Sequence, residues 1–509
     1  MKNLILFFAV VALPLATLSQ SKTVKRIDKY IEESRELWNI PGMAVAIVKD
    51  GEILLSKGYG TRDVRTGEPV NENTMFAIAS NSKAFTSAAL AILVDEEKIT
   101  WDDKVVDHLP YFEMYDDYVT QNMTIRDLLC HRSGLATFSG DLIWYGSRHS
   151  RKEVIKRAKY LEPVSDFRAD YGYQNIMFLA AGEIVAEVSG MSWDDYIKEK
   201  FFSPLGMETA VTSIKDFKST TNLAAPHNDH DGNNIAIDWV NWDNIAPAGS
   251  IVASVNELSK WIKLQLGHGT LDSTQYWSES RTHEMWHMHT PQDISGWSRS
   301  NFPSKTFNGY GLGWALNNIH GRKIVSHGGG YDGMISKTCL VPEENLGFVI
   351  LTNNINWLPS ALTNRILDDF LSDDECRDWA ADYHKFKTDG DKIDADARDK
   401  AEEDRIKDTK PSLDLTAYAG TYSGEMYGEC IVRLIGDQLA FQFEPTPLFR
   451  GTFRHWHYDT FQLNWGTNMM LPSGMAQFII GTDGKVEEMR IDVPNPDFDF
   501  TELEFMKLD

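Results

Sequence analysis

The stretch SNSKAFTSAALAILVD, residues 80–95, is the most informative segment of this chain. Its apolar residues run from Ala84 to Val94 with little interruption, which predicts a helix that is buried on most of its surface. Ser80 and Lys83 stand at the start of that helix three positions apart, so their side chains lie on one face within reach of each other. The positive end of the helix dipole and desolvation both favour a neutral Lys83, which could accept the proton of Ser80.

A Ser-x-x-Lys spacing is weak evidence by itself, because a chain of this length contains about two by chance. Ser19 and Lys22 form another. Further along, Tyr173-Gln174-Asn175 is the only Tyr-x-Asn sequence in the chain, and it precedes an apolar run that predicts a helix. A tyrosine close to a lysine ammonium loses its proton more easily, so Tyr173 is a second candidate base. The alternative is a tyrosine that merely packs at a helix start.

A third motif, His327-Gly328-Gly329-Gly330, lies on a strand that is predicted to begin near Ile324. Glycines at these positions would let a substrate lie against the strand edge and would offer it a backbone N–H group. A glycine-rich turn without function is the alternative interpretation of this motif when it is considered alone.

The sequence around these motifs predicts the fold class. Apolar, β-rich runs indicate a hairpin formed by residues 42–48 and 53–57. Similar runs at 338–341 and 347–352 predict strands near the other end of this region. Strands at both ends and helices in the middle predict one mixed sheet packed between helices, an α+β architecture.

Taken in this order, the three motifs resemble those of the serine β-lactamase and penicillin-binding-protein superfamily. The resemblance is closest to the class C β-lactamase-like branch, which also contains D,D-peptidases, D-aminopeptidases and esterases. It extends from Ile40 to about Leu371 and implies an antiparallel sheet flanked by helices. Four further stretches support it: Leu128-Leu129-Cys130-His131-Arg132-Ser133-Gly134-Leu135, Pro204-Leu205-Gly206-Met207, Pro247-Ala248-Gly249-Ser250 and Tyr310-Gly311-Leu312-Gly313-Trp314.

The resemblance also implies roles for individual residues. Ser80 would be the acylated nucleophile with Lys83 as its partner, and Tyr173 would be a general base that later activates water. Which of Lys83 and Tyr173 takes the first proton stays open, because such a pair titrates together. The implied substrate-binding residues are Asn175, His327, Gly328, Gly329 and Gly330, with the backbone N–H groups of Ser80 and Gly330 as the oxyanion hole.

At His327 the chain departs from the Lys-Thr-Gly sequence of true class C β-lactamases. That lysine is a permanent cation for the carboxylate of the drug, whereas a histidine is only partly charged near neutral pH. His-x-Gly occurs in peptidase-like members of the superfamily. We therefore expect a serine hydrolase that cleaves an amide or ester bond in a small molecule or peptide, as a peptidase or esterase rather than a β-lactamase. No cofactor and no metal are expected.

Composition divides the chain into four parts. We predict a signal peptide over 1–19, the hydrolase domain over 22–380, a charged linker over 381–412 and a small all-β barrel domain over 413–509. The last part resembles the lipocalin-like module appended to some of these hydrolases. It would shape the active-site entrance, mediate assembly or serve as a passive stabilising domain.

The predicted signal peptide indicates a secreted or periplasmic protein with no stable membrane anchor after cleavage. A formal net charge of -24 disfavours binding to nucleic acid. Formation of a homo-oligomer is left open. So is the pairing of the scattered cysteines, which are Cys130, Cys339, Cys376 and Cys430.

Two other functions are weighed against the serine hydrolase. The sequence from His283 through Glu284 to His287 fits the His-Glu-x-x-His pattern of zinc proteases, but Pro291 follows soon after, so the helix that such a site needs would be short. The second alternative is a catalytically silent scaffold with the same fold. The presence of Ser80, Lys83, Tyr173 and Asn175 together argues against it.

Overall fold

The computed structural model describes residues 21–218, 221–372, 376–466 and 470–508. The signal peptide predicted over 1–19 lies outside these ranges. The helices are α1 (21–37), α2 (Ser82–Asp95), α3 (Val105–His108), α4 (Asp117–Asn122), α5 (Ile125–Leu129), α6 (Asp141–Trp144), α7 (Arg151–Arg157), α8 (Asn175–Ser189), α9 (Trp193–Ile197), α10 (Ala246–Gly249), α11 (Val255–Leu266), α12 (Glu279–Met285), α13 (Gly296–Asn301), α14 (Leu358–Leu371) and α15 (Trp379–Asp404).

The strands fall into a large sheet, a barrel and short pairs. They are β1 (Gly42–Lys49), β2 (Glu52–Gly60), β3 (Met75–Ala77), β4 (His227–His230), β5 (Asn233–Ala236), β6 (Val252–Ser254), β7 (Thr270–Leu271), β8 (Thr274–Gln275), β9 (Thr290–Pro291), β10 (Asn308–Tyr310), β11 (Ala315–Ile319), β12 (Arg322–Tyr331), β13 (Met334–Val341), β14 (Leu346–Thr352), β15 (Gly420–Gly424), β16 (Gly428–Ile435), β17 (Gln438–Phe443), β18 (Arg450–His457), β19 (Thr460–Asn464), β20 (Gly474–Ile480), β21 (Val486–Asp492) and β22 (Phe505–Lys507).

The large sheet has eight strands in the order β2-β1-β14-β13-β12-β11-β10-β9, and its neighbouring strands run antiparallel. It brings the hairpin at the start of the domain beside the strands near its end, as the sequence pattern predicts. The order also places the His327 motif on β12, in the interior of the sheet rather than at its outer edge.

Helices cover both faces of this sheet, which explains why β1 is apolar at nearly every position. Met43, Val45 and Ile47 belong to the same buried cluster as side chains of α1 and α14. Ala44 and Ala46 alternate with them and face the second cluster, which contains α2, α8 and α11. Successive strand residues point to opposite faces, so both sets are buried. The prediction of an α+β domain with a sheet between helices is confirmed.

The C-terminal strands β15–β22 form a closed antiparallel barrel, which confirms the predicted small all-β domain. Its interior is filled with aromatic side chains, among them Phe441, Phe453 and Phe478. Closure leaves no free sheet edge in the barrel, because each strand pairs on both sides.

Helix α15 occupies most of the region that the sequence analysis interprets as a charged linker. Its surface is held by ion pairs four residues apart, for example Lys385 with Asp389 and Lys387 with Asp391. Pairs with this spacing stabilise an exposed helix. A charged composition is therefore compatible with regular structure here.

Among the described helices, no single one is long and apolar enough to cross a membrane, although Asn175–Ser189 and Trp193–Phe202 pass that test when taken together. The two are bent by 79° relative to each other.

The barrel docks onto one segment of the hydrolase domain, residues 139–157. The Arg148 amide donates to the Pro445 carbonyl oxygen over 2.9 Å, and the Arg157 guanidinium donates to the Met426 carbonyl oxygen over 2.7 Å. At the other end of the segment, the Glu502 carboxylate accepts a hydrogen bond from the Gly140 amide over 2.9 Å. These contacts bring the barrel to the mouth of the cleft that contains Ser80.

Candidate active site

Ser80 lies in a tight turn rather than in the first turn of a regular α-helix. The segment Ala79–Asn81 is a 3-10 turn, and α2 begins two residues later than the sequence predicts. Ala79 has a φ of +46°, which is unfavourable for a residue with a Cβ and has to be held by its surroundings. Asn81 helps to keep the turn in this conformation, because its side-chain amide donates to Ser336 Oγ on β13 over 2.8 Å. The Ser80 side chain itself is half-buried and lines the cleft.

The turn that contains Ser80 requires glycine at only one of the three glycine positions on β12. A Cβ on Gly329 would lie 2.3 Å from the Ile78 carbonyl oxygen, so any side chain there would push the strand away from Ser80. Gly328 and Gly330 have room for a Cβ. Gly329 therefore allows the close approach of β12 to the serine turn.

Lys83 is completely buried and its amine is held by three groups. Nζ lies 3.1 Å from Ser80 Oγ, 2.7 Å from Asn175 Oδ1 and 3.0 Å from the Ala248 carbonyl oxygen. Burial lowers the pKa of Lys83 to about 7, although the nearby charge of Asp141 opposes the shift. A substantial fraction of neutral amine is therefore present near neutral pH, with its lone pair available to the Ser80 hydroxyl.

A carboxylate that the sequence analysis does not identify completes this arrangement. The side-chain amide of Asn175 donates to Asp141 Oδ2 over 2.6 Å, and the Trp144 indole N–H donates to Asp141 Oδ1 over 2.8 Å. Burial raises the pKa of Asp141 to about 7, against these two hydrogen bonds and the charge of Lys83. Asn175, which the resemblance assigns to the substrate, lines the cleft but also joins Lys83 to Asp141. Asp141 is the first residue of the short helix α6 and belongs to no motif, so no sequence signal points to it.

Tyr173 stands beside both groups. Lys83 Nζ lies 4.7 Å from the centroid of its ring, and its hydroxyl is close enough to the Ser80 side chain for Ser80 to lower its pKa. Burial nevertheless raises the pKa of Tyr173 well above 10, and Ser80 only opposes this. The sequence-based expectation that Lys83 makes Tyr173 easier to deprotonate is therefore outweighed by desolvation.

The position of Tyr173 is fixed by His131, a buried residue from one of the supporting stretches. The backbone N–H of Gln174 donates to His131 Nδ1 over 3.0 Å. The centroid of the His131 ring lies 4.2 Å from the centroid of the Tyr173 ring. Burial lowers the pKa of His131 well below 6.5, so the ring is neutral. His131 acts on the site through the backbone next to Tyr173.

His327 lies across the cleft on β12 and carries no charge at neutral pH. Its Nδ1 donates to the Gly328 carbonyl oxygen over 2.5 Å, since that oxygen can only accept. Nε2 then accepts from the Tyr310 hydroxyl over 2.7 Å. Burial and the charge of Lys83 lower the pKa of His327 to about 3, against the Gly328 hydrogen bond. The ring is thus more firmly neutral than the sequence alone suggests.

The far half of β12 is open to the cleft. Strand β11 pairs with Arg322–Ser326 only, whereas β13 continues along β12 to Tyr331. Within the described pairings, the side of residues 327–331 that faces away from β13 has no strand partner. An extended substrate could therefore lie along this edge.

The cavity that contains Ser80 has a volume of about 500 Å³ and is lined by both domains. Aromatic side chains dominate it, and the charged residues that line it are Asp141, Asp332 and Asp497. Neither lysine nor arginine is present among its described lining residues. The barrel contributes Met470, Asn495, Asp497 and Phe498. The sequence leaves the contribution of the barrel open, and no motif marks any of these four residues.

The zinc-protease pattern is not assembled into one site. Helix α12 ends at Met285, so His287 lies beyond the helix that would place it on the face of His283. The Glu284 carboxylate is engaged by the Arg126 guanidinium. In the part of the chain that the structure describes, no three histidine, cysteine or acidic side chains are grouped closely enough to hold a metal ion.

Comparisons with known proteins cover both domains. Residues 27–371 match the protein family described as Beta-lactamase, and residues 404–507 match a domain of unknown function, DUF3471. The Unguisins hydrolase ungD' of Aspergillus campestris is 28% identical over 376 residues, which cover 70% of this chain and 67% of that protein. Protein flp of Staphylococcus aureus is 29% identical over 345 residues, which cover 66% of this chain and 64% of that protein.

Solved structures share the fold at lower identity. The octameric penicillin-binding protein homologue from Pyrococcus abyssi superposes with a TM-score of 0.61 at 21% identity, over 95% of this chain and all of that one. EstCE1, a hydrolase with promiscuous acyltransferase activity, gives a TM-score of 0.56 at 18% identity over 70% of this chain and all of that one. The sequence match over 27–371 and these folds agree, so the chain belongs to the Beta-lactamase family of the serine β-lactamase and penicillin-binding-protein superfamily.

Proposed function

We propose that this protein hydrolyses amide or ester bonds through an acyl-Ser80 intermediate. The observation that carries the proposal is the accessible Ser80 hydroxyl 3.1 Å from the amine of the buried Lys83, inside a cavity of about 500 Å³. Nucleophilic catalysis requires a hydroxyl, an adjacent base and room for a substrate, and this cavity provides all three.

Lys83 is the base that receives the Ser80 proton in this mechanism. Burial lowers the pKa of Lys83 to about 7, so its amine can accept a proton near neutral pH. The pKa of Tyr173 is raised well above 10, so its phenol stays protonated there. Tyr173 then acts in its protonated form. Its hydroxyl, which lies near Ser80, donates a proton to the leaving group and is reprotonated from Lys83.

In the acylation step, Ser80 Oγ bonds to the carbonyl carbon and the bond from that carbon to the leaving amine or alcohol breaks. The backbone N–H groups of Ser80 and Gly330 stabilise the negative charge that develops on the carbonyl oxygen. In deacylation, water attacks the acyl carbon and gives a proton to the Lys83–Tyr173 pair. Ser80 Oγ leaves and regains its proton, so the free enzyme is restored and the products are an acid and an amine or alcohol.

We favour a peptidase or esterase over a β-lactamase. A β-lactam carries a carboxylate that needs a cation on the β12 side of the cleft. His327 is neutral there, and no lysine or arginine occurs among the described residues that line the cavity. The substrate is accordingly a small molecule or peptide that does not need a cation at this position. Nitrocefin, a β-lactam, should be hydrolysed slowly.

We also propose that the protein is exported, on the basis of the signal-peptide pattern of residues 1–19. Assembly into a homo-oligomer is proposed by analogy with the octameric homologue, which has the same fold over 95% of this chain. Secretion of a tagged full-length chain and native mass spectrometry of the product test these two points.

Ser80→Ala should abolish hydrolysis of p-nitrophenyl acetate and labelling by a fluorophosphonate probe, because the nucleophile is removed. We expect a loss of at least about a thousandfold, as for other covalent catalysts. Ser300→Ala is the matched control, since its hydroxyl is exposed on α13 and bonded only to the Gly296 carbonyl oxygen. Retained labelling of the Ser80→Ala protein would rule the mechanism out. If the wild-type protein were labelled by no reactive probe, the silent scaffold would be the better interpretation.

A further inference from the structure

We propose that a second cavity between the two domains extends the substrate groove and takes the apolar distal end of a long acyl group. The inference deepens the proposed function and rests on it for the position of the bond that is cleaved. The substrate class that it names is an ester or amide of a medium- or long-chain acyl group.

The second cavity adjoins the cavity that contains Ser80. It has a volume of about 500 Å³, and Tyr145, Asp332 and Met470 line both cavities. At this border the Tyr145 hydroxyl donates to Asp332 Oδ1 over 2.5 Å, which ties the end of α6 to the tip of the hairpin between β12 and β13. A ligand that extends past these three residues therefore occupies both cavities.

The lining of the second cavity is mostly apolar. Trp239 comes from the loop after β5, and Leu448 comes from the barrel segment before β18. Leu448 is 39% exposed, so its side chain is available for contact with a ligand. Apart from Asp332 at the border, the charged residues described in this lining are Asp238 and Arg450, and both are exposed to solvent. Such a cavity gains most from a ligand that removes apolar surface from water.

A row of aromatic rings connects the two cavities. The ring centroids of Trp144 and Trp242 lie 5.0 Å apart, those of Trp242 and Tyr331 lie 4.7 Å apart, and those of Tyr331 and Trp239 lie 5.2 Å apart. The first three rings line the cavity that contains Ser80, and Trp239 lines the second cavity. Aromatic side chains offer large apolar contact surfaces. An acyl chain that follows this row stays in contact with apolar surface from one cavity into the other.

The position of Tyr173 indicates which part of the substrate reaches the border. In the proposed mechanism Tyr173 gives its proton to the leaving group, and the centroid of its ring lies 6.2 Å from that of His327. His327 stands at one end of the open edge of β12, and Asp332 follows the other end. The leaving group therefore lies towards His327, and the acyl group extends towards Asp332.

The distance to the border sets the length of acyl group that can pass it. Asp332 is two residues beyond Gly330, whose N–H contacts the attacked carbonyl in the proposed mechanism. The Cα atoms of these two residues are thus at most about 7 Å apart. An acetyl or butyryl group ends before the border, whereas an octanoyl chain extends past it.

Hydrolysis of esters with different acyl lengths tests the proposal. The kcat/KM for p-nitrophenyl octanoate should be at least about tenfold higher than that for p-nitrophenyl butyrate, because the additional methylenes are removed from water. Trp239→Ala and Leu448→Asp should each lower this ratio by at least about threefold. Leu508→Asp is the matched control, because Leu508 is 48% exposed in the barrel and lines neither cavity.

Two results of this assay contradict the proposal. They are a wild-type ratio near one, and a ratio that is unchanged in both Trp239→Ala and Leu448→Asp. Each ratio compares two esters on the same preparation, so a smaller fraction of folded protein in a variant lowers both rates and leaves the ratio unaffected.

Binding of simple amides provides a test without catalysis. In the Ser80→Ala background, octanamide should bind at least about tenfold more tightly than butanamide, measured by isothermal titration calorimetry, and Leu448→Asp should remove most of this difference. Equal affinities, including no binding of either amide, would overturn the extended groove. Turnover of p-nitrophenyl butyrate that survives Ser80→Ala contradicts the proposed function instead and leaves the binding result standing.

Discussion

On one side of the cleft, Lys83, Asn175 and Asp141 form a continuous chain of hydrogen bonds. On the other side, Asp332 and Asp497 line the cavity, and Oδ2 of Asp332 has no hydrogen-bond partner among the described residues. The first wall, formed by Lys83, Asn175 and Asp141, uses its polar groups on each other. The second wall, formed by Asp332 and Asp497, keeps polar groups directed at the cavity. In the proposed mechanism the first wall thus serves the chemistry, and the second is free to contact the substrate.

The largest effect is expected when Lys83, a member of the first wall, is replaced. Lys83→Met removes the proposed base and should lower kcat by about a thousandfold, within the range known for general acid–base groups. Lys323→Met is the matched control, because burial also lowers the pKa of Lys323 but its amine donates to the Trp286 carbonyl oxygen rather than to the site. If both variants lost activity equally, the loss would reflect removal of a buried lysine and not of the base. Steady-state hydrolysis of p-nitrophenyl acetate decides between them.

Asp141→Asn should have a smaller effect on rate and a distinctive effect on pH dependence. Because only neutral Lys83 accepts the proton, kcat/KM should rise with pH through about 7 and fall away below it. The negative charge of Asp141 raises the pKa of Lys83, so its removal should move the midpoint to lower pH, by about one unit. A loss of about tenfold at the optimum would accompany the weaker hold on Asn175.

The pH profiles of the wild type and Asp141→Asn, recorded between pH 5 and pH 9, give the comparison. A midpoint that stays in place or moves to higher pH would show that Asp141 does not act on Lys83 through its charge. Solubility and far-UV circular dichroism at each pH separate a titration of the site from acid unfolding.

The smallest effect is expected where the barrel is anchored to the first wall. Glu502 accepts hydrogen bonds from the Ser139 hydroxyl and the Gly140 amide, next to Asp141. Glu502→Gln should cost about 1–3 kcal/mol of stability, seen as a lower Tm, and raise KM several-fold because the barrel wall shifts. Glu504→Gln, an exposed neighbour in the same segment, is the control. Equal Tm and KM in both variants would show that Glu502 does not hold the barrel in place.

The sequence predicts much of the first wall and little of the second. Ser80, Lys83 and Asn175 belong to short motifs whose spacing reflects local backbone geometry; α2 and α8 carry Lys83 and Asn175, whereas Ser80 lies in the 3-10 turn just before α2. Asp141 begins the short helix α6, and Asp332 and Asp497 stand in turns or loops; none belongs to a motif, and all three reach the cavity through contacts between distant segments. The same holds for Tyr173, whose motif is visible in the sequence but whose raised pKa depends on how deeply the ring is packed.

The fold shows the same contrast. Strands β1, β2, β13 and β14 can be predicted from apolar, β-rich runs bounded by turn residues, and the barrel from shorter β-rich runs. The helix over Trp379–Asp404 does not, because its charged residues resemble a solvated segment until their pairing at four-residue intervals is seen. How the barrel meets the cleft depends on contacts such as that of Arg148 with Pro445, which leave no pattern in either segment.

The barrel supplies one face of the cleft, but among the described residues the side chain that is hydrogen-bonded to Ser80 Oγ, Lys83, belongs to the other domain. Changes in the loop 494–499 therefore alter what fits beside the nucleophile without disturbing its activation. For protein engineering, this means that barrels or loops exchanged between such two-domain proteins offer a way to vary selectivity while the bond-breaking machinery is inherited intact.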